Sequence, residues 1–441
     1  MNINEFKKCI NNIYKLALPI LAGNLGQMLI NLGDIFVAGH YNTNVLAAIS
    51  VASALFMTFI VAGFGLVGGI TPVLSNYRGE KIATKQYFVP TVIYSLIIGL
   101  LFFLLVWALI PLVNLLHINK LILDDCITYL KISSFSVFGL FLFGALKEYL
   151  QAHEIVKLPN TIIIVSVFAN LILNFIFVYG IGFIPEMGTS GLAVASLIVR
   201  TTIALILFIY CLKFSFKKSN PNIFSYTKDL IKVGLPISFA MFVEFLGFNI
   251  VAVLVGSFEP VYAACHNIII TVTSVVYMIP YSIASALAVK IGYANGKNNL
   301  DEIKNYLKSA LVIIGCFSGI IITAFLLLKK EIIEIFTSDI NVINIGASIM
   351  VVVACFNIFD AIQSIFIGAL KGMKHTLSVL IIDFMGYILI AIPVGLFLAY
   401  KFNMNLYGFW VGLAFGILSA ALISVTLFIR VYQKRKYILN A

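Results

Sequence analysis

Charge is what this chain has least of. Only 11% of its 441 residues are Asp, Glu, Lys or Arg, and 61% are apolar; soluble domains carry about 25% and 45–50%. That balance excludes a soluble globule. Acids are the scarcer sign, 18 against 29 basic residues, giving a formal charge of +11. A basic total can mark a nucleic-acid partner, but these lysines and arginines lie almost wholly between apolar runs, with no basic face interleaved with aromatics, so no nucleic acid is expected. The six cysteines (Cys9, Cys126, Cys211, Cys265, Cys316, Cys355) form no CxxC pair, hence neither a disulfide framework nor a metal centre. No GxxxxGK[ST], HExxH or GxSxG occurs. The chain is therefore expected to be no enzyme, to need no cofactor and not to use ATP.

What is present is apolar length. Twelve spans can be drawn, at about 14–39, 45–75, 88–112, 126–150, 159–182, 189–213, 230–256, 261–291, 305–327, 341–367, 376–400 and 406–432. About 20 apolar residues cross a bilayer as a helix, whereas a barrel would show alternating segments of about ten. The basic N-terminus runs into a first span holding Asn24, Gln27, Asn31 and Asp34, unlike a cleaved signal peptide. Twenty-three of the 29 Lys and Arg fall on the side of the termini; Lys120, Lys131, Lys329, Lys330 and Lys401 fall on the other, and Arg200 lies inside a span. Positive charge marks the cytoplasmic side, so both termini are expected there, in a cell (inner) membrane.

The chain repeats itself. Leu18-Pro19-Ile20 recurs as Leu235-Pro236-Ile237, Gly39 as Gly256, and Gly144-Ala145-Leu146-Lys147 as Gly368-Ala369-Leu370-Lys371. The longest polar connection, 213–229, divides the chain into 1–212 and 230–441. The expected fold is an all-α polytopic membrane protein, twelve helices in two six-helix bundles related by a pseudo-two-fold axis along the membrane normal, with a site between the halves.

Acids inside spans carry the chemistry. A carboxylate at the bilayer centre costs roughly 2.5–3.5 kcal/mol on insertion scales, yet Asp34, Glu244 and Asp360 sit well inside spans. Asp383 reads as nearer the cytoplasmic end of the eleventh, and its replacement by Asn is expected to matter less. Asn24, Gln27, Asn31 and Asp34 are spaced 3, 4 and 3 and share a helix face. That face meets a partner helix as a hydrogen-bonded seam, or water. Ser166, Asn170 and Asn174 line the fifth span, Tyr277 stands in the eighth, and Asn357, Asp360 and Ser364 share a face of the tenth with Gln363 beside them. A carboxylate in an apolar cavity takes a proton more readily than one in water; with amide oxygens it can hold a small hard cation instead. Arg200 is the one buried permanent cation that the sequence shows; it must pair with an acid or carbonyls, or line water, and a structural partner in its own half is the favoured expectation.

Leu18-Pro19 with Asp34, Gly39, Leu46-Ala47-Ala48, Pro236 with Glu244, Ala263-Ala264-Cys265-His266-Asn267 and Phe359-Asp360-Ala361-Ile362-Gln363 with Gly368 resemble the multidrug and toxic compound extrusion (MATE) family along essentially the whole chain. The NorM-type branch fits best, with Cys265-His266-Asn267 in place of its usual Ala-His-Gln. The resemblance implies a secondary exporter of amphipathic organic cations in exchange for inward Na⁺ or H⁺, with lipid as solvent and a monomer sufficing. It implies ion coupling at Asp34, Glu244 and Asp360, Na⁺ at Glu244 and Asp360, and support from Gln27, Asn31, Asn170, Asn174, Tyr277, Asn357 and Gln363. The alternative is a flippase for lipids or lipid-linked oligosaccharides from the same wider superfamily.

Overall fold

The computed structural model describes residues 3–116, 118–215 and 221–440. They form helices α1 (Ile3–Tyr41), α2 (Thr43–Val67), α3 (Ile70–Gly79), α4 (Phe88–Val113), α5 (Lys120–Ala152), α6 (Lys157–Tyr179), α7 (Thr189–Ser215) and α8 (Ile223–Val255). After these come α9 (Pro260–Gly296), α10 (Leu300–Leu327), α11 (Lys329–Glu334), α12 (Ile340–Gly372), α13 (Thr376–Asp383), α14 (Ile392–Leu396) and α15 (Asn405–Asn440). Among the described residues twelve helical stretches are long and apolar enough to span, and no strand occurs. The second is α2 with α3, and the eleventh joins α13 and α14 through π-helical Phe384–Ala391 and Phe397–Lys401. Only helices satisfy every backbone group without water. Where they end, short polar side chains take the orphan N–H groups: Asn42 accepts from Asn44 at 2.7 Å and Asp339 from Asn341 at 2.8 Å.

The connection expected at 213–229 is largely helical. α7 continues to Ser215 and α8 starts at Ile223, with the side chain of Asn222 accepting from the Ser225 amide at 3.0 Å; residues 216–220 lie outside the described ones.

The chain forms two compact units, residues 19–238 and residues 1–18 with 239–441. The boundaries fall beside the two Leu-Pro-Ile sequences, where Pro19 and Pro236 each remove a backbone donor from the helix interior. In the first unit the opening turns of α8 pack on α2 and α3. A Cβ on Gly69 would stand 2.9 Å from the backbone of Gly234, and Gly65 touches the backbone of Ser238. Tyr226 is fully buried there, its hydroxyl 2.8 Å from that of Thr91, and Tyr77 donates to Asp229 at 3.0 Å. In the second unit the first turns of α1 are tied in by Asn12, which donates to the Tyr306 hydroxyl at 3.1 Å.

The eleventh span is held by backbone contact. Gly408, Gly412 and Gly416 recur every fourth residue along α15; a Cβ on Gly412 would stand 2.5 Å from Gly395, and one on Gly416 would stand 2.5 Å from the carbonyl of Gly386. Small residues at this spacing let membrane helices approach closely. The irregular π-helical backbone is thus covered by protein. Replacing Gly412 with Leu should destabilise by about 1–3 kcal/mol or more, read as a lowered unfolding temperature of the detergent-solubilised protein.

Outside the spans, His153 closes α5. Its Nδ1 donates to the Tyr149 carbonyl at 2.8 Å, and its Nε2, 2.9 Å away, accepts from the Thr84 hydroxyl. Burial is the main cause holding its pKa down, at about 4 against an ordinary 6.5; Arg78 and Lys85 push the same way, against the Tyr149 hydrogen bond. With the folded value below the unfolded one, this group's contribution is complete above pH 6.5 and is lost as pH falls toward 4. Thermal unfolding followed across that window should show a shallower acid loss for His153→Gln than for the parent.

Candidate functional site

In the 19–238 unit the acid of α1 is enclosed by α6 and α7. Asp34 is buried; Asn174 donates to its Oδ1 at 2.7 Å and Ser196 to its Oδ2 at 3.3 Å. The second N–H of Asn174 goes to Asn170 Oδ1 at 3.1 Å. Asn170 and Asn174 are four residues apart on α6, so one helix face presents both amides. Asn174 Oδ1 and Asn170 Nδ2 have no partner and are buried, an acceptor and a donor left open beside the carboxylate.

Arg200, one turn after Ser196, donates to Ser136 at 2.8 Å and lies 5.7 Å from the Phe56 ring centre. It interacts electrostatically with Asp34. Gly139 makes this placement possible, since a Cβ there would stand 2.9 Å from the Arg200 backbone. Gln27, Asn170, Ser196 and Arg200 line a cavity of about 20 Å³, room for one water or a small ion and not for a drug. The rest of the α1 stripe diverges: Asn24 accepts from Lys147 at 3.4 Å, and Asn31 is exposed.

The other unit gathers acids from α8, α12 and α13. Glu244 interacts electrostatically with Lys371, Asp360 and Asp383. Tyr277 of α9 interacts electrostatically with Glu244 and Asp360. Asp383 is buried and accepts from Gln363 at 3.2 Å. A Cβ on Gly247 would lie 2.9 Å from the Tyr387 Cβ. One turn back along each helix lie Glu244 and Asp383, so the two acids share a level. Asp383, read from the sequence as nearer the cytoplasmic end of its span, thus joins this cluster. The level follows from how α8 and α13 pack, which counting from span ends does not capture.

Asn357, Asp360 and Gln363 are spaced by three along α12, and Asn357 Oδ1 and Gln363 Oε1 are buried without a partner. Among the described residues no three His, Cys, Asp or Glu side chains converge tightly enough to hold a metal ion together; a cation here would be met by mixed carboxylate, amide and hydroxyl oxygens. Arg200 is not alone as a buried cation: Lys290 is 8% exposed against its 7%. Sequence counting placed Lys290 with the loops, whereas α9 carries it against protein. Ser196, Tyr387, Lys371 and Asp383 are further members of the two clusters. The four-residue step from Ser196 to Arg200 was the available signal for the first; the others come from helix pairing.

Twelve helical spans with acids enclosed among them are the architecture of a polytopic membrane transporter. The chain belongs to the MatE family, whose sequence profile matches residues 19–176 and 236–397. It is 29% identical over 429 residues to the probable multidrug resistance protein NorM of Photorhabdus laumondii, covering 93% of this chain and 94% of that one. It is 27% identical over 433 residues to the multidrug resistance protein NorM of Vibrio parahaemolyticus, covering 95% of both. A MOP superfamily transporter from Pyrococcus furiosus overlays it with a TM-score of 0.87 at 18% identity, over 97% of each chain. A MATE protein crystallised in a bent conformation does so with 0.88 at 18%, over the whole of both. At such identity the likeness shows the fold.

Asn174→Leu should strip Asp34 of its shorter hydrogen bond and leave a buried acceptor under-satisfied, at about 1–3 kcal/mol. The check is unfolding temperature in detergent beside Asn174→Ser, which shortens the side chain and leaves room for water.

Proposed function

We propose that the protein is a secondary exporter that extrudes amphipathic, mostly cationic organic compounds in exchange for inward Na⁺ or H⁺, by alternating access of two six-helix bundles. It would act in the cell membrane, as a monomer, with both termini cytoplasmic. The observation that carries the reading is the interacting pair Glu244 and Asp360, two carboxylates from different helices held inside the spans of a MatE-family chain. The names of its relatives, multidrug resistance proteins, support the substrate class.

In this reading a cationic drug is held by the carboxylates of Glu244 and Asp360, with Tyr277 beside them. Arrival of Na⁺ or H⁺ from outside neutralises the acids and the drug leaves. Exchange works only because the ion and the drug favour different states; equal affinity for both would shift nothing. Expelling one +1 drug against 100 mV costs about 2.3 kcal/mol, and one entering cation returns it. A one-for-one exchange is then driven by the ion's concentration ratio, about 1.4 kcal/mol per tenfold. Asp34, with Asn170 and Asn174, forms a second polar centre that takes a proton or adjusts its own helix packing.

A flippase for an anionic headgroup has one observation in its favour, the buried Lys290 and the Lys371 inside the second cluster. Both lysines already have partners, and those identified for Lys371 are acids, so neither is offered to a phosphate. Cation export is the better reading.

Asp360→Asn keeps the side-chain shape and removes the charge. Ethidium efflux from cells, and ethidium uptake into inverted vesicles with Na⁺ and pH gradients imposed separately, should fall to the level of cells lacking the protein. Full efflux by a well-expressed Asp360→Asn protein would sink the assignment. In a double-mutant cycle on ion affinity, Glu244 with Asp360 should show strong coupling and Glu244 with Asp34 little.

A further inference from the structure

Asp383 is a buried acid that the proposed exchange does not use. Three observations give it a role. It lies at the level of Glu244, because Gly247 and Tyr387 bring α8 and the eleventh span into contact one turn beyond each acid. It takes an N–H of Gln363 at 3.2 Å, which turns that amide into the cluster. The same amide's Oε1, on a side chain 3% exposed, has no partner, and neither has Asn357 Oδ1 two turns earlier on α12. An amide whose N–H is held by a carboxylate and whose oxygen is open has its acceptor side free for a positive charge. Lys371, from the last turn of α12, interacts electrostatically with both Asp383 and Glu244 and opposes their field.

We propose that Asp383 is a further cation-binding residue of this site: its charge, shared with Glu244 and countered by Lys371, and the Gln363 oxygen it positions both act on a monovalent cation. The occupant is the ammonium of a transported drug or the coupling ion; both need the same oxygens and the same negative field. Lys371 is a tethered competitor that lowers the site's pull on either. With three carboxylates against one ammonium, the site carries an excess of two negative charges when all are ionised.

The inference rests on the reading under Proposed function, and the test separates the two. Purified full-length protein is titrated with ethidium at constant pH, and ethidium is then competed with Na⁺ against a large inert cation. Asp383→Asn keeps an oxygen for the Gln363 N–H and loses only charge, so a packing role leaves both affinities unchanged. The expected result is roughly tenfold weaker binding of ethidium, of Na⁺, or of both, and the arm that weakens names the occupant. Lys371→Gln should act with the opposite sign, tightening the same cation severalfold, and it tests the idea even if Asp383→Asn folds poorly. Weaker binding in both variants would mark a packing defect and overturn the proposal. So would loss of affinity in Glu244→Gln and Asp360→Asn with none in Asp383→Asn, leaving the exporter reading intact. Absence of ethidium binding in the parent protein would remove the exporter reading and this inference with it.

Discussion

Everything in this structure answers to the difficulty of keeping a carboxylate inside a membrane. An ionised acid there must find donors, a counter-charge or water. Asp34 finds two donors and an arginine in its own unit. Glu244, Asp360 and Asp383 share one lysine, one amide donor and two tyrosines. The first set is tight, with a cavity for about one water. Both leave an amide oxygen open, Asn174 Oδ1 in the first and Asn357 Oδ1 and Gln363 Oε1 in the second, and the second gathers three acids where the first has one. A helix that only had to pack would have lost such acids.

Packing of the spans serves the same end. Backbone contact at Gly139 brings α5 and α7 close enough for the short Ser136 side chain to meet Arg200, and Gly247 lets the Tyr387 side chain lie against α8. The π-helical turns after Asp383 widen the helix by one residue per turn, and such turns recur at functional sites in membrane and soluble proteins alike. Tyr387 lies within the first of them, one turn after Asp383.

Span number and helical class were legible because apolar length is a one-dimensional property. So were Asp34, Asn170 and Asn174: an acid in an apolar run and two amides four residues apart announce themselves. That Asp383 meets Glu244 was not legible, since it depends on which residues of α8 it faces, a property of pairs. Asn31 is exposed rather than enclosed beside Asp34. It shares a helix face with Asp34 in projection, yet α6 and α7 cover only part of that stripe. The described residues of the polar connection at 213–229 are mostly helix because its first and last turns have neighbours to pack on, and composition alone reports solubility rather than contact.

The division of α1 and α8 has a consequence for how the protein is made. The first eighteen residues belong with residues 239–441, and Asn12 meets Tyr306 only after almost 300 further residues have left the ribosome. At about 5–20 residues per second that is a wait of roughly 15–60 seconds. During this interval residues 19–238 can assemble, and they include the early turns of α8 that complete them. The amino terminus is therefore among the first segments synthesised and among the last to find its neighbours. Until then its apolar turns depend on lipid or on the insertion machinery for company.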